Sequence, residues 1–268
     1  MSDCVEKQEG RRVTVIMPSY NAAPYIETAV RSVMAQTYPH WRLLVLDDAS
    51  ADATCAIVQG LCHEDSRITL VRNGENLGVA KSRNRGLELA QGDCVAFLDS
   101  DDVWHPEKLE KQMQAMACEQ ADLVYTSYDV MDENGAVSSN PYLVPATTDF
   151  NALLKENVIG CSTVLLSDTV AKTYRFTEQY FHEDYCLWLS ILQDGHKAVG
   201  CEQPLAAWRL ASGSRSFDKR KGAGNRWKIY RQYLKLPLWK CGVSFAGYAI
   251  NGISKYRRIT QRKNGAKA

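Results

Sequence analysis

Val95-Ala-Phe-Leu-Asp-Ser-Asp-Asp102 decides the fold of this 268-residue chain. Four apolar residues run directly into three carboxylates within four positions. A short apolar run of this kind reads as a fully buried strand that stops where the acids begin. In an open α/β sheet, ligands bind outside the carboxyl ends of the strands, so these acids stand at the ligand-binding edge. Asp99 and Asp101 are two apart, and on an extended strand end that spacing puts both on one side. Two carboxylates so placed suit a hard divalent cation that also holds phosphate oxygens. The same residues also read as an acidic loop capping the next helix, since Pro106-Glu-Lys-Leu109 follows as a helix start.

Upstream, the pattern repeats. Val13-Thr-Val-Ile-Met17 opens a first strand, which Pro18-Ser-Tyr-Asn21 breaks. Pro24 fits the first turn of a helix through Ile26, Val30, Val33 and Met34. Arg42–Asp48 is a second strand ending in acids. Ser50 can cap the helix that follows, with Asp52 in its first turn. Ile68–Val71 is a third strand. Asn76-Leu-Gly78 then leads into a helix through Val79, Leu87 and Ala90, with Gly92 expected to close it at C′. Val95–Leu98 is the fourth strand, and Leu109, Met113 and Met116 mark the helix after it. This alternation predicts a mostly parallel sheet with helices on both faces. Asp47-Asp48 and Asp99-Ser-Asp101 would open on the same edge.

The second half is less regular. Leu123–Tyr128 and Ser162–Leu166 read as strands, with Asn134-Gly135 as a turn between them. Phe150–Lys155 reads as a short helix. His182-Glu-Asp184 precedes a helix over Tyr185–Leu192, and Lys197–Cys201 is expected to be the last strand. Trp208-Arg-Leu210 and a loop over Ala211–Ser216 follow.

Composition bounds the class. Hydrophobic content of 45% and charged content of 24% are ordinary globular values. Met1–Arg12 is polar and lacks the apolar core of a signal peptide, so a cytoplasmic location is expected. The nine cysteines are scattered with no Cys-x-x-Cys pair, which predicts reduced, mostly buried thiols and no zinc. Charge divides the chain. Fourteen of the 32 basic side chains and none of the 31 acidic ones lie from Lys219 onward, leaving 18 basic against 31 acidic before it, a net of −13. An acidic body over residues 1–218 and a basic extension over 219–268 imply different partners.

With these residues in view, the chain resembles the family 2 glycosyltransferases of the GT-A fold. It is most like the bacterial branch that builds cell-surface polysaccharides such as teichuronic acid or capsule. The resemblance rests on Val15-Ile-Met-Pro-Ser-Tyr-Asn21, Leu46-Asp-Asp-Ala-Ser50, Asn76-Leu-Gly-Val-Ala-Lys-Ser-Arg-Asn84, Phe97-Leu-Asp-Ser-Asp-Asp102, Glu183-Asp184 and Trp208-Arg209, in family order. It implies a nucleotide-sugar half over about 13–118, an acceptor half over about 119–218, and an inverting hexosyl transfer that depends on Mn²⁺ or Mg²⁺. The donor is a nucleotide sugar, with uridine favoured by the resemblance alone, and the acceptor a glycan or lipid-linked hydroxyl.

Residue roles follow from the same resemblance. Pro18, Ser19 and Tyr20 would hold the base and ribose, and Asp48 would accept the N–H of a uracil ring. Arg83 would steady the base or phosphates. Asp99 would meet the ribose hydroxyls and Asp101 would hold the metal, with Asp99 beside it. Asp184 matches the general base, which takes the acceptor's proton as it attacks; Glu183 and His182 are the neighbouring alternatives. Its place at a helix start would favour the ionised form. Arg209, Ser214 and Ser216 would form a flexible loop that closes on the diphosphate.

Other classes fit less well. A nucleotidyltransferase or a dinucleotide dehydrogenase needs a glycine-rich loop after the first strand, where this chain has Pro18-Ser-Tyr-Asn21. A catalytically inactive nucleotide-sugar-binding or scaffold protein is the remaining alternative, against which the intact acids weigh. In the extension, Trp227, Tyr230, Tyr233 and Trp239 interleave with cations ahead of the apolar but interrupted Leu238–Ile253. That pattern suits the headgroup region of an anionic membrane surface; a helical extension packed on the domain is the other reading, and nucleic acid has no further support.

Overall fold

A computed structural model describes residues 10–138, 140–210 and 219–265, with side chains described within 10–138, 140–210 and 223–251. The first strands are β1 (Val13–Ser19), β2 (Trp41–Asp47), β3 (Ile68–Arg72) and β4 (Cys94–Phe97). Between them lie helices α1 (Ile26–Met34), α2 (Thr54–Glu64) and α3 (Val79–Leu89). β1 pairs in parallel with both β2 and β4, and β2 with β3. Strand order 3-2-1-4 reverses direction at β1, so the crevice between the carboxyl ends of β1 and β4 is where such a sheet takes its ligand.

Alternation along each strand divides the core between the sheet's two faces. Val13, Val15 and Met17 of β1, with Leu43 and Val45 of β2, pack under α1 residues Ile26, Val30 and Val33. Ile16, Leu44, Leu46 and Phe97 point the other way, toward Leu87 of α3. Gly86 lets α3 approach: a Cβ there would lie 2.5 Å from Ile16 Cγ2. This close seat sets Arg83, one turn earlier, over the end of the sheet.

The rest of the chain as far as Arg209 extends the same sheet. It contains β5 (Val103–Trp104), α4 (Lys108–Glu119), β6 (Leu123–Met131), β7 (Thr147–Thr148), α5 (Phe150–Lys155), β8 (Leu165–Ser167), α6 (Asp168–Thr173), α7 (Glu183–Gln193) and β9 (Ala198–Arg209). Among the described residues nine strands form one sheet, ordered β3-β2-β1-β4-β8-β6-β9-β5, with β7 on β9. β8 lies antiparallel to both β4 and β6, whereas β6 and β9 are parallel.

Four local expectations need correcting. Cys161–Thr163 is a 3₁₀ turn and the strand starts only at Leu165. β9 does not stop at Cys201 but runs to Arg209, accommodating Pro204 where its pairing with β6 shifts register around Ser127. Ser50 is not the cap of α2: Thr54 N–H donates to Asp52 Oδ1 at 3.0 Å, and Ser50 Oγ accepts from Asn21 N–H at 2.9 Å. Gly92 is not the C′ residue of α3, which ends at Leu89 with Ala90 extended. Its φ of +128° instead lets the chain turn against the Arg12 carbonyl, 2.7 Å from where a Cβ would sit.

The basic segment is helical: α8 (Lys219–Lys228), a π turn at Ile229–Tyr233, and α9 (Leu238–Gly265). Its first part is built into the body. Ile229, Tyr230, Leu234, Leu236 and Cys241 share one buried cluster with Leu153, Leu154, Tyr185 and Trp188. Arg226 is buried with them, donating to Tyr185 Oη at 2.8 Å and lying 4.2 Å from the rings of Tyr185 and Tyr248.

Candidate functional site

The carboxyl ends of β1, β2 and β4 form a laced edge. Asn21 and Ala49 adopt left-handed backbone there, with φ of +48° and +60°. Asn21 Oδ1 accepts from Ala51 N–H at 2.9 Å, and Asp48 N–H donates to the Ser19 carbonyl at 2.8 Å. Pro18 is buried within β1, Ser19 Oγ is buried without a hydrogen-bond partner, and Tyr20 is exposed just beyond. A buried hydroxyl lacking a partner beside an exposed ring leaves both polar and stacking capacity at this end of the strand.

Asp48 is only 4% exposed and already well occupied. Oδ1 accepts from Asn73 Nδ2 at 2.7 Å and Leu77 N–H at 2.8 Å; Oδ2 accepts from Gly78 N–H at 2.8 Å. Burial pushes this carboxyl up, but those donors outweigh it and hold it below the usual carboxylate range. Gly78, at φ +85°, turns its N–H onto Asp48, as the start of α3 requires. Asp48 thus fixes the β3–α3 loop, and Oδ2 keeps room for one further donor.

After β4 the chain turns tightly, Asp102 N–H donating to the Asp99 carbonyl at 3.1 Å. Asp99 and Asp101 are partly buried and Asp102 fully so. Ser162, from the 3₁₀ turn, ties this corner: its Oγ accepts from Asp99 N–H at 3.1 Å and donates to Asp102 Oδ2 at 2.5 Å. Asp102 Oδ1 accepts from Arg209 N–H at 2.9 Å. Burial, with Asp101 and Asp99 close by, pushes the Asp102 carboxyl well above its usual range.

Arg209 is not on a flexible loop. It ends β9, is 5% exposed, and donates through Nε to the Asp101 carbonyl at 2.8 Å and through Nη1 to the Asp132 and Glu133 carbonyls at 3.1 Å each. Its guanidinium lies 4.6 Å from the Tyr25 ring. Ser214 and Ser216 lie outside the described residues.

Arg83 is the hub. It is 3% exposed, and its two terminal nitrogens reach Asp99 Oδ1 at 2.6 Å and Glu183 Oε1 at 2.8 Å. Burial would lower its charge affinity, but Asp99 and Glu183 outweigh that and keep the guanidinium charged. Phe176 stands 5.3 Å from it. Arg83 therefore joins the end of β4 to the start of α7, where Asp184 follows Glu183.

Asp184 is placed very differently from Asp48. Its Oδ1 accepts from Tyr185 N–H at 2.7 Å. Burial, and then the neighbouring Glu183, push its carboxyl up to about 6 against the pull of Arg83. The helix start does not by itself keep it ionised at low values, because one amide and a shared cation do not offset desolvation plus a like charge. A carboxyl near 6 is ionised at neutral pH yet basic enough to take a proton.

No group of three metal-ligating side chains occurs among the described residues. The carboxylate donors at Asp99 and Asp101 still fit a hard cation of the Mg²⁺ or Mn²⁺ type. Such ions are commonly held by one or two carboxylates together with substrate phosphates. Asp99 binds Arg83 through Oδ1, leaving Oδ2 for such a role. Reading the sequence alone counted Asp102 among the acids of this edge but gave it no role, and it missed Ser162. Ser162 carries no local signal.

The geometry has relatives. The model of the family described as Glycosyl transferase family 2 matches residues 14–167. TuaG of Bacillus subtilis, provisionally named as a teichuronic acid biosynthesis glycosyltransferase, is 39% identical over 243 residues, covering 91% of this chain and 96% of its own. WfgD of Escherichia coli, named UDP-Glc:α-D-GlcNAc-diphosphoundecaprenol β-1,3-glucosyltransferase, is 38% identical over 95% of this chain and 98% of its own. Among solved structures, residues 1–349 of S. aureus TarS in complex with UDP-GlcNAc superpose with a TM-score of 0.71 at 19% identity, covering 89% of this chain and 71% of that one. The mannosyltransferase PcManGT of Pyrobaculum calidifontis, in complex with GDP-Man and Mn²⁺, does so at 0.64 and 20% identity, over 92% of this chain and 76% of that one. These likenesses establish the GT-A type of fold that the resemblance implied. The chain belongs to glycosyltransferase family 2 and is a glycosyltransferase, related to bacterial enzymes of polysaccharide assembly.

Proposed function

We propose that the chain moves a sugar from a UDP-sugar to a hydroxyl of a lipid-linked or surface-polysaccharide acceptor, in a metal-dependent, inverting displacement with Asp184 as base. The observation that carries this is the carboxyl of Asp184, held near 6 beside a Glu183–Arg83–Asp99 chain that leads to the end of β4. Glu183 is the weaker candidate for the base because its oxygen is engaged by Arg83. His182 caps α7, its carbonyl accepting from Cys186 N–H at 3.1 Å.

In this reading Asp184 takes the proton of the acceptor hydroxyl as its oxygen bonds to the anomeric carbon. The bond from that carbon to the diphosphate breaks on the opposite face, its electron pair leaving with the diphosphate oxygen. Inversion follows from a single displacement. Asp101 and the free oxygen of Asp99 would hold a divalent cation, and that cation supplies positive charge against the charge growing on the diphosphate. Pro18, Ser19 and Tyr20 hold the base and ribose, and Asp48 accepts from the base through its remaining capacity. Arg83 serves the nucleotide indirectly, by fixing Asp99; Arg209 serves it by fixing the Asp101 backbone.

The relatives support UDP as the nucleotide and a diphosphoundecaprenol type of acceptor, as the name of WfgD states for that enzyme. Such an acceptor sits at a membrane, and residues 219–268 would attach the enzyme to the anionic cytoplasmic face. No helix among the described residues is long and apolar enough to cross a bilayer. Calorimetry with UDP and Mn²⁺ tests the nucleotide and metal assignment: the parent chain should bind only when the metal is present, and Asp101→Ala should not bind. Equal affinity in both proteins would overturn it.

A further inference from the structure

Five of the nine exposed large apolar side chains among the described residues lie between Trp227 and Ile250. On α9 they form a stripe. Trp239 (72% exposed), Val243, Ala246 and Ile250 (67%) recur at spacings of four, three and four, which is one face of a helix, and Leu238 adjoins them. The stripe spans about 16 Å along the axis.

The opposite face of α9 is already occupied. Cys241 and Ser244 are buried, and the Phe245 ring lies 5.7 Å from that of Trp227. Tyr248 meets Arg226, and Gly247 faces the Lys155 side chain of α5 so closely that a Cβ would sit 2.9 Å from it. The helix is thus anchored along one side and leaves its most apolar side outward. Solvent alone does not favour that arrangement at Trp239, Val243 and Ile250 together.

What surrounds the stripe selects the partner. Arg231 and Lys235 are exposed just ahead of it, Lys240 lies 5.0 Å from the Phe150 ring, and no acidic residue occurs from Lys219 to the end of the chain. A second copy of the chain would bring cations against cations, which disfavours pairing. An anionic lipid leaflet offers apolar depth beneath a negative headgroup layer, matching a Trp-bearing apolar stripe flanked only by cations. We infer that the outward stripe of α9, through Leu238, Trp239, Val243 and Ile250, is the surface that lies in the headgroup plane of an anionic membrane. This rests on the membrane attachment proposed above and specifies the face that makes it.

Because α9 packs on α5, and Leu153 and Leu154 of α5 meet Tyr185 of α7, the contact face is fixed relative to the helix that carries Asp184. A docked enzyme would therefore present its acceptor half in one orientation to a lipid-borne substrate.

Co-sedimentation of the full chain with phosphatidylglycerol vesicles and with phosphatidylcholine vesicles tests this. The parent should pellet with the anionic vesicles, less at high salt, and weakly with the neutral ones. The combined Trp239→Ser, Val243→Ser, Ile250→Ser variant should lose at least about tenfold of that partition, with an unchanged melting temperature because these side chains are exposed. Arg231→Gln with Lys235→Gln should weaken binding only to anionic vesicles at low salt. Pelleting of the triple-Ser variant at the parent level overturns the inference. So does a dimer in gel filtration that the serine substitutions dissolve, which would assign the stripe to a second copy. Vesicle binding needs neither donor nor acceptor, so loss of sugar transfer with intact pelleting would sink the proposed reaction and leave this surface standing.

Discussion

Asp48 and Asp184 are two carboxylates of the proposed site, held in opposite ways. At the end of β2, three donors converge on Asp48 and hold it below the usual range. At the start of α7, burial and Glu183 push Asp184 up to about 6, with one backbone donor of its own. Both lie in strand-end or helix-start sequence that looks alike on paper. The contrast teaches that donor count and desolvation, not position in a motif, divide a carboxylate that stays charged from one that can cycle a proton.

The sharpest way to break the contrast is Asp184→Asn. It keeps size and hydrogen-bonding reach but cannot take a proton, so kcat should fall roughly 10²–10⁴-fold while UDP affinity by calorimetry stays near that of the parent. Near-normal turnover would move the base to Glu183 or His182. Arg83→Met removes the cation between Asp99 and Glu183. Leaving buried carboxylates without their partner should cost on the order of 3 kcal/mol of stability, read as a lower midpoint in urea unfolding, with Asp99 contributing less because it is a third exposed.

Asp48→Asn sharpens the other side. The amide cannot accept from both loop amides and Asn73 as a carboxylate does, so a loss of about 1–3 kcal/mol is expected. Thermal unfolding should show it, and the pH dependence of turnover should not move. The smallest effect is on that profile. In the proposed reaction Asp184 takes a proton only when ionised, and burial with Glu183 pushes its carboxyl up to about 6, so kcat/KM should be full above that pH and fall as pH drops through it. Arg83 favours the ionised form, so Arg83→Lys, with a less well-fitted cation, should shift this acid limb upward. Because Glu183 is adjacent, the limb reports the pair. A limb that moves downward would separate Arg83 from the base.

Much of the first half was legible before any coordinates. β2 and β4 are short apolar runs that end at Asp47 and just ahead of Asp99, and the helices carry one apolar face, so period and punctuation suffice there; β1 instead runs through Pro18, where the sequence predicts its end, to Ser19. β9 continues past the predicted end at Cys201 through Glu202-Gln-Pro204, because pairing with β6 and then β5 carries the strand on to Arg209. Ser162 looked like strand because its neighbours are β-favouring; its turn exists to serve Asp99 and Asp102. Neither outcome is written in local preference.

The basic segment shows the same division. Its charge and its aromatic residues were countable from the sequence. Which of those aromatics face inward was not: Tyr230 is buried beneath α5 and α7, while Trp239 stands outside. Helical spacing offers both faces to the core, and only the presence of Leu153, Leu154 and Tyr185 on one side chose between them.

The sequence by itself determined the α/β alternation, the acidic edge, the family, and the residue types available for metal, nucleotide and proton transfer. These depend on periodicity and on the order of short motifs, which survive without knowledge of distant contacts. Tertiary structure alone decided that Arg83 bridges Asp99 and Glu183 across 100 residues of chain, that Asp48 accepts from three donors where Asp184 accepts from one backbone amide, and that Arg209 is a buried staple rather than a mobile clamp. Burial and hydrogen-bond partners come from elements far apart in sequence, and they set the charge state on which the chemistry depends.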